Sequence, residues 1–395
     1  MLNCFYGYSV VWTLILLLYS FNFTAFNKKL DNFLSLFIIV TIILSFVIGY
    51  ANKKKFKFKK TAVDYGLKPI IIIVILFICN FIYAKSIPLL TIIRGSSLYG
   101  DFNSIPYLYV LLNAIAFYYG INYFNAYLNI SENKKRNLIC FLLINLMYLF
   151  AFSRSTIIFL CIGAFILYIM SKKNMSLEKI KTKKSYLFLI IVFSFIVIYG
   201  FGVLGNIRSG YKYNDNSYIE RIGLYNKFPK FLPKQFMWTY SYLTSPLANL
   251  NDNVKNNKNI DFNLKKIFSE LINRTIAKRI FPDLQYGEEA VLKVGIRREY
   301  FNAVTGYFLM YTYGGMFGMI VQYFVLVTVS YIQILMLNNK KNSGKENGTY
   351  IILLLANTLM FFYNSLNTTT ISWWLIVNFV ALCNKPKMKG KFYHD

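Results

Sequence analysis

The stretch 205-GNIRSGYKYNDNSYIER-221, carried on to 294-VGIRREYFN-302, opens and closes nearly a hundred mostly polar residues in a chain that is otherwise almost wholly hydrophobic. It contains no apolar run of membrane length, so it is the one sizeable piece that has to live in water. It holds sixteen Lys/Arg against nine Asp/Glu. Outward from it, the chain divides into apolar runs long enough to cross a bilayer as helices, the closed hydrogen-bonding element that survives there. Ten such runs fall at about 7–26, 33–51, 67–84, 107–128, 137–153, 155–170, 185–204, 314–337, 349–366 and 368–383. The expected fold is therefore an all-α polytopic membrane protein of about ten spans, within a range of 10–12. Its expected divisions are an N-terminal membrane bundle over 1–204, a large outer loop over 205–302, a C-terminal bundle over 303–383 and a cytoplasmic tail over 384–395.

Composition agrees. Of 395 residues, 56% are hydrophobic and 19% aromatic, outside the range of an ordinary soluble domain. A net charge of +28 in a soluble chain would point to nucleic acid. Here the lysines fall in short clusters between apolar runs, which is how membrane orientation is written, and no nucleic-acid partner is expected. The five cysteines (4, 79, 140, 161 and 383) lie in or beside apolar runs, so no disulfide framework or thiolate metal site follows. The first residues lack the cationic region of a cleaved signal, and the first apolar run is expected to stay as an anchor.

Alternate connections carry the cationic excess. Residues 52–60, 131–136, 171–184, 338–348 and the tail after Cys383 fall on one side with most of the lysines, which predicts cytoplasmic N- and C-termini. The other side receives Lys28-Lys29, residues 85–106, the 153–155 turn, the long loop and the Asn367–Thr370 turn. Arginine is sorted differently from lysine. Eight of nine arginines (Arg94, Arg154, Arg208, Arg221, Arg274, Arg279, Arg297 and Arg298) lie on the outer side, and only Arg136 lies inside. Lysine suffices as an orienting point charge, whereas the arginine fork binds phosphate or carboxylate in bidentate fashion.

Several short stretches are candidates for chemistry. Ser153-Arg154-Ser155 is the one charged break between Asn137 and Met170, which sets Arg154 at or just below the outer surface. Arg94 sits in the second outer loop, between Pro88 and Pro106. Phe231–Asn251, with Trp238, Tyr240 and Tyr242, is apolar enough to lie on the bilayer or under a sugar. Ile267–Ile280 reads as a short helix bearing Arg274, Lys278 and Arg279. Asp283, Glu288 and Glu289 supply carboxylates ahead of Arg297-Arg298. Tyr313-Gly314-Gly315-Met316-Phe317-Gly318 marks a break in an apolar run too long for one span. The single histidine, His394, lies in the tail, and there is no phosphate-binding glycine loop, zinc helix motif or Asp-x-Asp pair. Neither a metal nor a cofactor is expected.

Taken together, the order of these features resembles the Wzy-type polymerases of O-antigen and capsule repeat units. The resemblance covers the whole architecture and rests locally on Ser153-Arg154-Ser155, Ile87-Pro88-Leu89, Ser245-Pro246-Leu247-Ala248-Asn249-Leu250 and the Asn302…Gly315…Gly318 run. It implies a GT-C-like glycosyltransferase of the inner membrane that joins undecaprenyl-diphosphate-linked glycans at the periplasmic face. Membrane lipids surround it, and a chain-length regulator and a flippase of the same pathway are the implied partners. Related O-antigen ligases are implied to use an outer-face histidine, which this chain lacks, so polymerase is favoured over ligase; a lipid-linked oligosaccharide flippase is the other alternative. On this reading Arg154, then Arg208, Arg279 and Arg298, stabilise the departing diphosphate, and Glu288, Glu289 or Asp283 takes the acceptor proton. Arg94, Arg221, Arg274, Arg297, Trp238, Tyr242 and Asn249 are expected to bind substrate.

Overall fold

The computed structural model describes residues 3–93, 102–173, 228–257, 260, 262–296 and 302–384, with isolated positions at 195, 199, 200, 202 and 203. The expected span at 185–204, together with Arg94, Arg208, Arg221, Arg297 and Arg298, lies outside the fully described residues. Among the described residues every regular element is a helix. Helices α1 (Cys4–Ser20), α2 (Asn32–Ala51), α3 (Lys68–Tyr83), α4 (Pro88–Ile93), α5 (Leu108–Asn129), α6 (Lys134–Phe150) and α7 (Arg154–Lys173) form the first half. The polar segment contributes α8 (Phe236–Asn256), α9 (Leu264–Leu271), α10 (Arg274–Ile280) and α11 (Glu288–Val294). Helices α12 (Phe308–Met336), α13 (Glu346–Thr358) and α14 (Thr369–Cys383) close the chain.

Local chemistry sets several of these boundaries. The Asn3 and Asp31 side chains accept from the first free N–H groups of α1 and α2, and Lys68-Pro69 starts α3 where a missing N–H costs nothing. Helix α13 is buried along almost its whole length and packs against α1, α5, α7, α12 and α14, so the bundle is built around it. Beside it, Phe117 of α5 stacks on Trp374 of α14 at 3.9 Å. Helix α2 is the reverse case. Phe33, Leu36, Ile39, Val40, Ile43, Phe46 and Val47 stay exposed on it. In water that face would forfeit on the order of 5–10 kcal/mol, comparable with the whole stability of a domain, so hydrocarbon is its natural solvent. Among the described residues three helices, α2, α7 and α12, are long and apolar enough to cross a membrane, and α1, α3 and α14 are shorter apolar helices.

The bundle has two chemically different ends. At one, the segment 52–66 is stitched to α13, α5 and α6. The Lys59 N–H donates to Asn347 Oδ1 (3.0 Å), Asn347 Nδ2 donates to the Lys59 carbonyl (2.7 Å), and Tyr350 donates to the Lys55 carbonyl (2.6 Å). The Tyr123 hydroxyl donates to the Gly66 carbonyl, and Arg136 pairs with Asp64. Lys345 caps the far end of α14 by donating to the carbonyls of Ala381 and Asn384. At the other end lie the turn 21–31, the approach to α5, the turn 151–153 and the turn between α13 and α14. The described part of the polar segment is folded onto that end, with Tyr240 on Leu18, Asn251 on Lys29 and Arg274 on Asn367.

Candidate functional site

Helix α8 does not lie on a surface. Fourteen of its residues are buried, wedged between α1 and α12, because its polar groups find partners on both sides. Tyr240 donates to the Leu18 carbonyl and accepts from Asn27 Nδ2. Asn251 accepts from the Asp31 N–H (2.8 Å) and donates to the Lys29 carbonyl (3.1 Å), and Asn253 donates to the Phe308 carbonyl and Thr312. Trp238 is 5% exposed, and Asn249, also buried, donates to the Ala303 carbonyl. Both side chains are thus packed within the segment, with Asn249 tying α8 to the approach to α12. Tyr242 is half-buried, with its ring 6.4 Å from that of Phe362.

The helix expected over 267–280 is two helices, because Asn273 interrupts it. Its side chain accepts from the Thr275 N–H to start α10 and donates to Ser372 on α14 (2.7 Å). Asn367, in the turn before α14, supplies the partners that the break requires. It donates to the carbonyls of Ser269 (2.9 Å) and Ile272 (3.1 Å), the orphan acceptors at the end of α9. It also accepts from Arg274 Nε (3.1 Å), while its carbonyl accepts from the Arg274 N–H (3.1 Å). One turn earlier, Glu270 is 2% exposed and accepts from Asn364 Nδ2 at 3.0 Å. Burial pushes the Glu270 carboxyl up, against the opposing pull of Arg274 and the Asn364 hydrogen bond. Burial likewise lowers Arg274, with Glu270 acting the other way. Arg274 thus locks the polar segment to the turn between α13 and α14.

Gly287 makes this possible. At φ +66 it is left-handed, and a Cβ there would come 2.4 Å from Arg274 Nη1. The expected break in the long apolar run is present at Gly315 (φ 59, ψ −146). It frees the Tyr313 carbonyl to accept from the Asn263 N–H (3.0 Å), and Asn263 in turn caps α9 through Lys266 N. Added Cβ atoms at Gly314 and Gly315 would meet Ile267 and Ile260 at 2.7 and 2.6 Å, so the glycines let α9 seat on the kink.

The remaining expected site residues are exposed. Arg154 opens α7 with its guanidinium 4.7 Å from the Phe152 ring, and Arg279 lies 4.5 Å over Tyr107 at the start of α5. Helix α6 runs from the Arg136–Asp64 pair to the turn before Arg154, so Arg154, Arg274 and Arg279 belong to one end of the bundle and Arg136 to the other. Among the carboxylates, Asp283 is paired to Lys265 at 2.6 Å, and that hydrogen bond holds it below the usual carboxylate range, which is unfavourable for a base. Glu288 accepts from Asn302, and Glu289 accepts from Gln285 (3.0 Å). The buried carboxylate at this end that sequence reasoning passed over is Glu270. Its signal was the Asn263 cap and the Asn273 break, which make the stretch between them a short helix with one acidic residue on it.

Among the described residues no group of three or more His, Cys, Asp or Glu is arranged to hold a metal. No family model, curated protein or solved structure matches the chain.

Proposed function

We propose that the chain is a membrane glycosyltransferase of the Wzy kind, with about ten spans in a GT-C-like arrangement, that polymerises undecaprenyl-diphosphate-linked repeat units at the periplasmic face of the inner membrane. The observation that carries this reading is the sorting of cations between the two ends. Arg154, Arg274 and Arg279 share the end covered by the folded polar segment, while the opposite end is orienting lysine with one structural arginine. An anionic leaving group at a membrane surface needs forked donors there.

In the proposed reaction an acceptor hydroxyl forms the new glycosidic bond as the bond from the sugar to the lipid diphosphate breaks. The diphosphate leaves with the bonding electrons, stabilised by Arg154 and Arg279 together with Arg208 and Arg298. The hydroxyl proton passes to Glu288 or Glu289, exposed carboxylates that form no ion pair among the described residues. Arg274 and Glu270 act at one remove, by holding the segment that presents these groups.

A flippase is the competing reading, and polar groups inside the bundle bear on it. Asn357 donates to Ser330 (2.8 Å) and Asn378 donates to Gln333 (2.7 Å) between α12, α13 and α14. These pairs are neutral and mutually satisfied, as helix packing in lipid requires, and they offer a passing substrate no charge. The discriminating experiment is a gene deletion followed by electrophoresis of extracted surface polysaccharide. Loss of the ladder with retention of a single-repeat band is the expected result, and Arg154→Lys should reproduce it because the fork is lost although the charge is kept. Loss of every substituted band would indicate the flippase or a ligase instead, and a normal ladder from Arg154→Lys would remove Arg154 from the mechanism.

A further inference from the structure

The kink at Gly315 and the cap at Asn263 create a space as well as a contact. Between α9, the turn 283–285, α11 and the start of α12 lies a cavity of about 370 Å³. That is in the range of a pocket for a ligand the size of one sugar residue. Its polar lining comes from Lys266 and Ser269 on α9, Gln285 in the turn, Lys293 on α11, and Thr312 and Tyr313 on α12, with Asp283 at the same wall.

The charges here do not balance. Lys266 Nζ lies 5.1 Å from the Tyr313 ring centre and has no carboxylate partner among the described residues, nor has Lys293. The nearby acids are already engaged: Asp283 by Lys265, Glu289 by Gln285, Glu288 by Asn302, and buried Glu270 by Asn364. The amide partners leave those carboxylates charged, but none is ion-paired to Lys266 or Lys293 among the described residues, so two ammonium groups line one cavity without a direct carboxylate contact. The uncharged groups add to this. The Ser269 and Thr312 hydroxyls donate to the carbonyls of Lys266 and Phe308, so both are left to the cavity as acceptors, and Thr312 already accepts from Asn253. The donors that remain for a ligand are chiefly the two ammonium groups, which suit a carboxylate or phosphate. The free acceptors at Ser269 and Gln285 suit sugar hydroxyls, and the Tyr313 ring offers an apolar face.

We infer that this cavity binds an anionic group carried on a sugar-sized ligand, with Lys266 and Lys293 as its charge partners and Tyr313 as its platform. The binding chemistry stands on the cavity alone. Its biological source rests on the polymerase reading and is either an acidic sugar of the glycan substrate or the phosphate of the donor's lipid carrier. In the first case the site selects the repeat unit, and in the second it adds to the grip on the leaving group.

The test is lysine footprinting on the full-length protein in detergent. An amine-reactive acylating reagent is applied with and without probe, and modification at each lysine is read by mass spectrometry. Trigalacturonate and inorganic pyrophosphate represent the two sources, and neutral maltotriose is the control. The expected result is a several-fold loss of reactivity at Lys266 and Lys293 with one of the anions, reversed by high salt, while Lys57 at the other end is unchanged. Protection by trigalacturonate alone assigns the acidic sugar, and protection by pyrophosphate alone assigns the phosphate. In Lys293→Gln the protection of Lys266 should fall, and in Lys266→Gln that of Lys293. Equal protection by maltotriose, or none by either anion, overturns the proposal. Because the readout is binding, it fails or succeeds independently of the polysaccharide ladder that tests the polymerase reading.

Discussion

The two ends of this bundle solve the same problem, closing a set of helix termini, by different means. The lysine end is closed by short connections whose amides and carbonyls meet residues of α5, α6 and α13, and its described cations make local contacts: Lys53 over Tyr50, Lys55 over Tyr331, Lys134 over Tyr127 and Lys345 on the end of α14. The arginine end is closed by a folded segment of the chain, and its cations are engaged: Arg274 with Asn367, Arg279 over Tyr107, Arg154 beside Phe152. The comparison teaches that a charge count does not separate orientation from function, whereas the kind of cation and what packs around it does.

The way to break the comparison most severely is to undock the arginine end. Gly287→Ala forces a non-glycine residue into the left-handed region, at about 1–2 kcal/mol, and also pushes its Cβ into Arg274. Hydrogen exchange over 264–294 should rise strongly, and the polysaccharide ladder should be lost. Unchanged exchange would mean that Arg274 is not the lock.

Next comes Asn253→Ala on α8, which removes two buried hydrogen bonds, to the Phe308 carbonyl and to Thr312, and leaves that carbonyl only the Thr312 hydroxyl as a side-chain donor. The expected loss is about 1–3 kcal/mol in a denaturation series on the purified protein. Glu270 gives a smaller and more specific effect. Its carboxyl titrates higher when docked than when free, so docking is strongest below the ordinary carboxylate value and weakens as pH rises through the raised one. Exchange over α9 and α10, corrected for intrinsic rate, should therefore increase from mildly acidic to alkaline pH, and Glu270→Gln should flatten that dependence. At the bottom of the scale, Lys57→Gln at the exposed lysine end should change stability by no more than about 0.5 kcal/mol and leave the ladder intact.

Much of this was legible in sequence because hydropathy and charge are local. Nine of the ten apolar runs coincide with helices to within several residues, and the break at Gly315 was visible as Tyr313-Gly314-Gly315. The residues that meet at each end also follow from which connections are rich in lysine. What was hidden is non-local. Glu270 and Asn364 are 94 positions apart, and Arg274 and Asn367 are 93 apart, so neither partner announces the other. The burial of Trp238 was hidden for a different reason. An aromatic helix has the same composition whether it rests on lipid or is buried in protein, and only the partners of Tyr240, Asn251 and Asn253 distinguish the two.

The central claim is that the arginine end and its folded segment face outward while the lysine end faces the cytoplasm. It is tested most directly by labelling right-side-out membrane vesicles with a membrane-impermeant maleimide, in a background with the exposed Cys79, Cys161 and Cys383 replaced by serine. The account predicts that the Lys293→Cys variant is modified in sealed vesicles and that the Lys57→Cys variant is modified only after they are opened. Modification of both in sealed vesicles, or of Lys57→Cys alone, would contradict it.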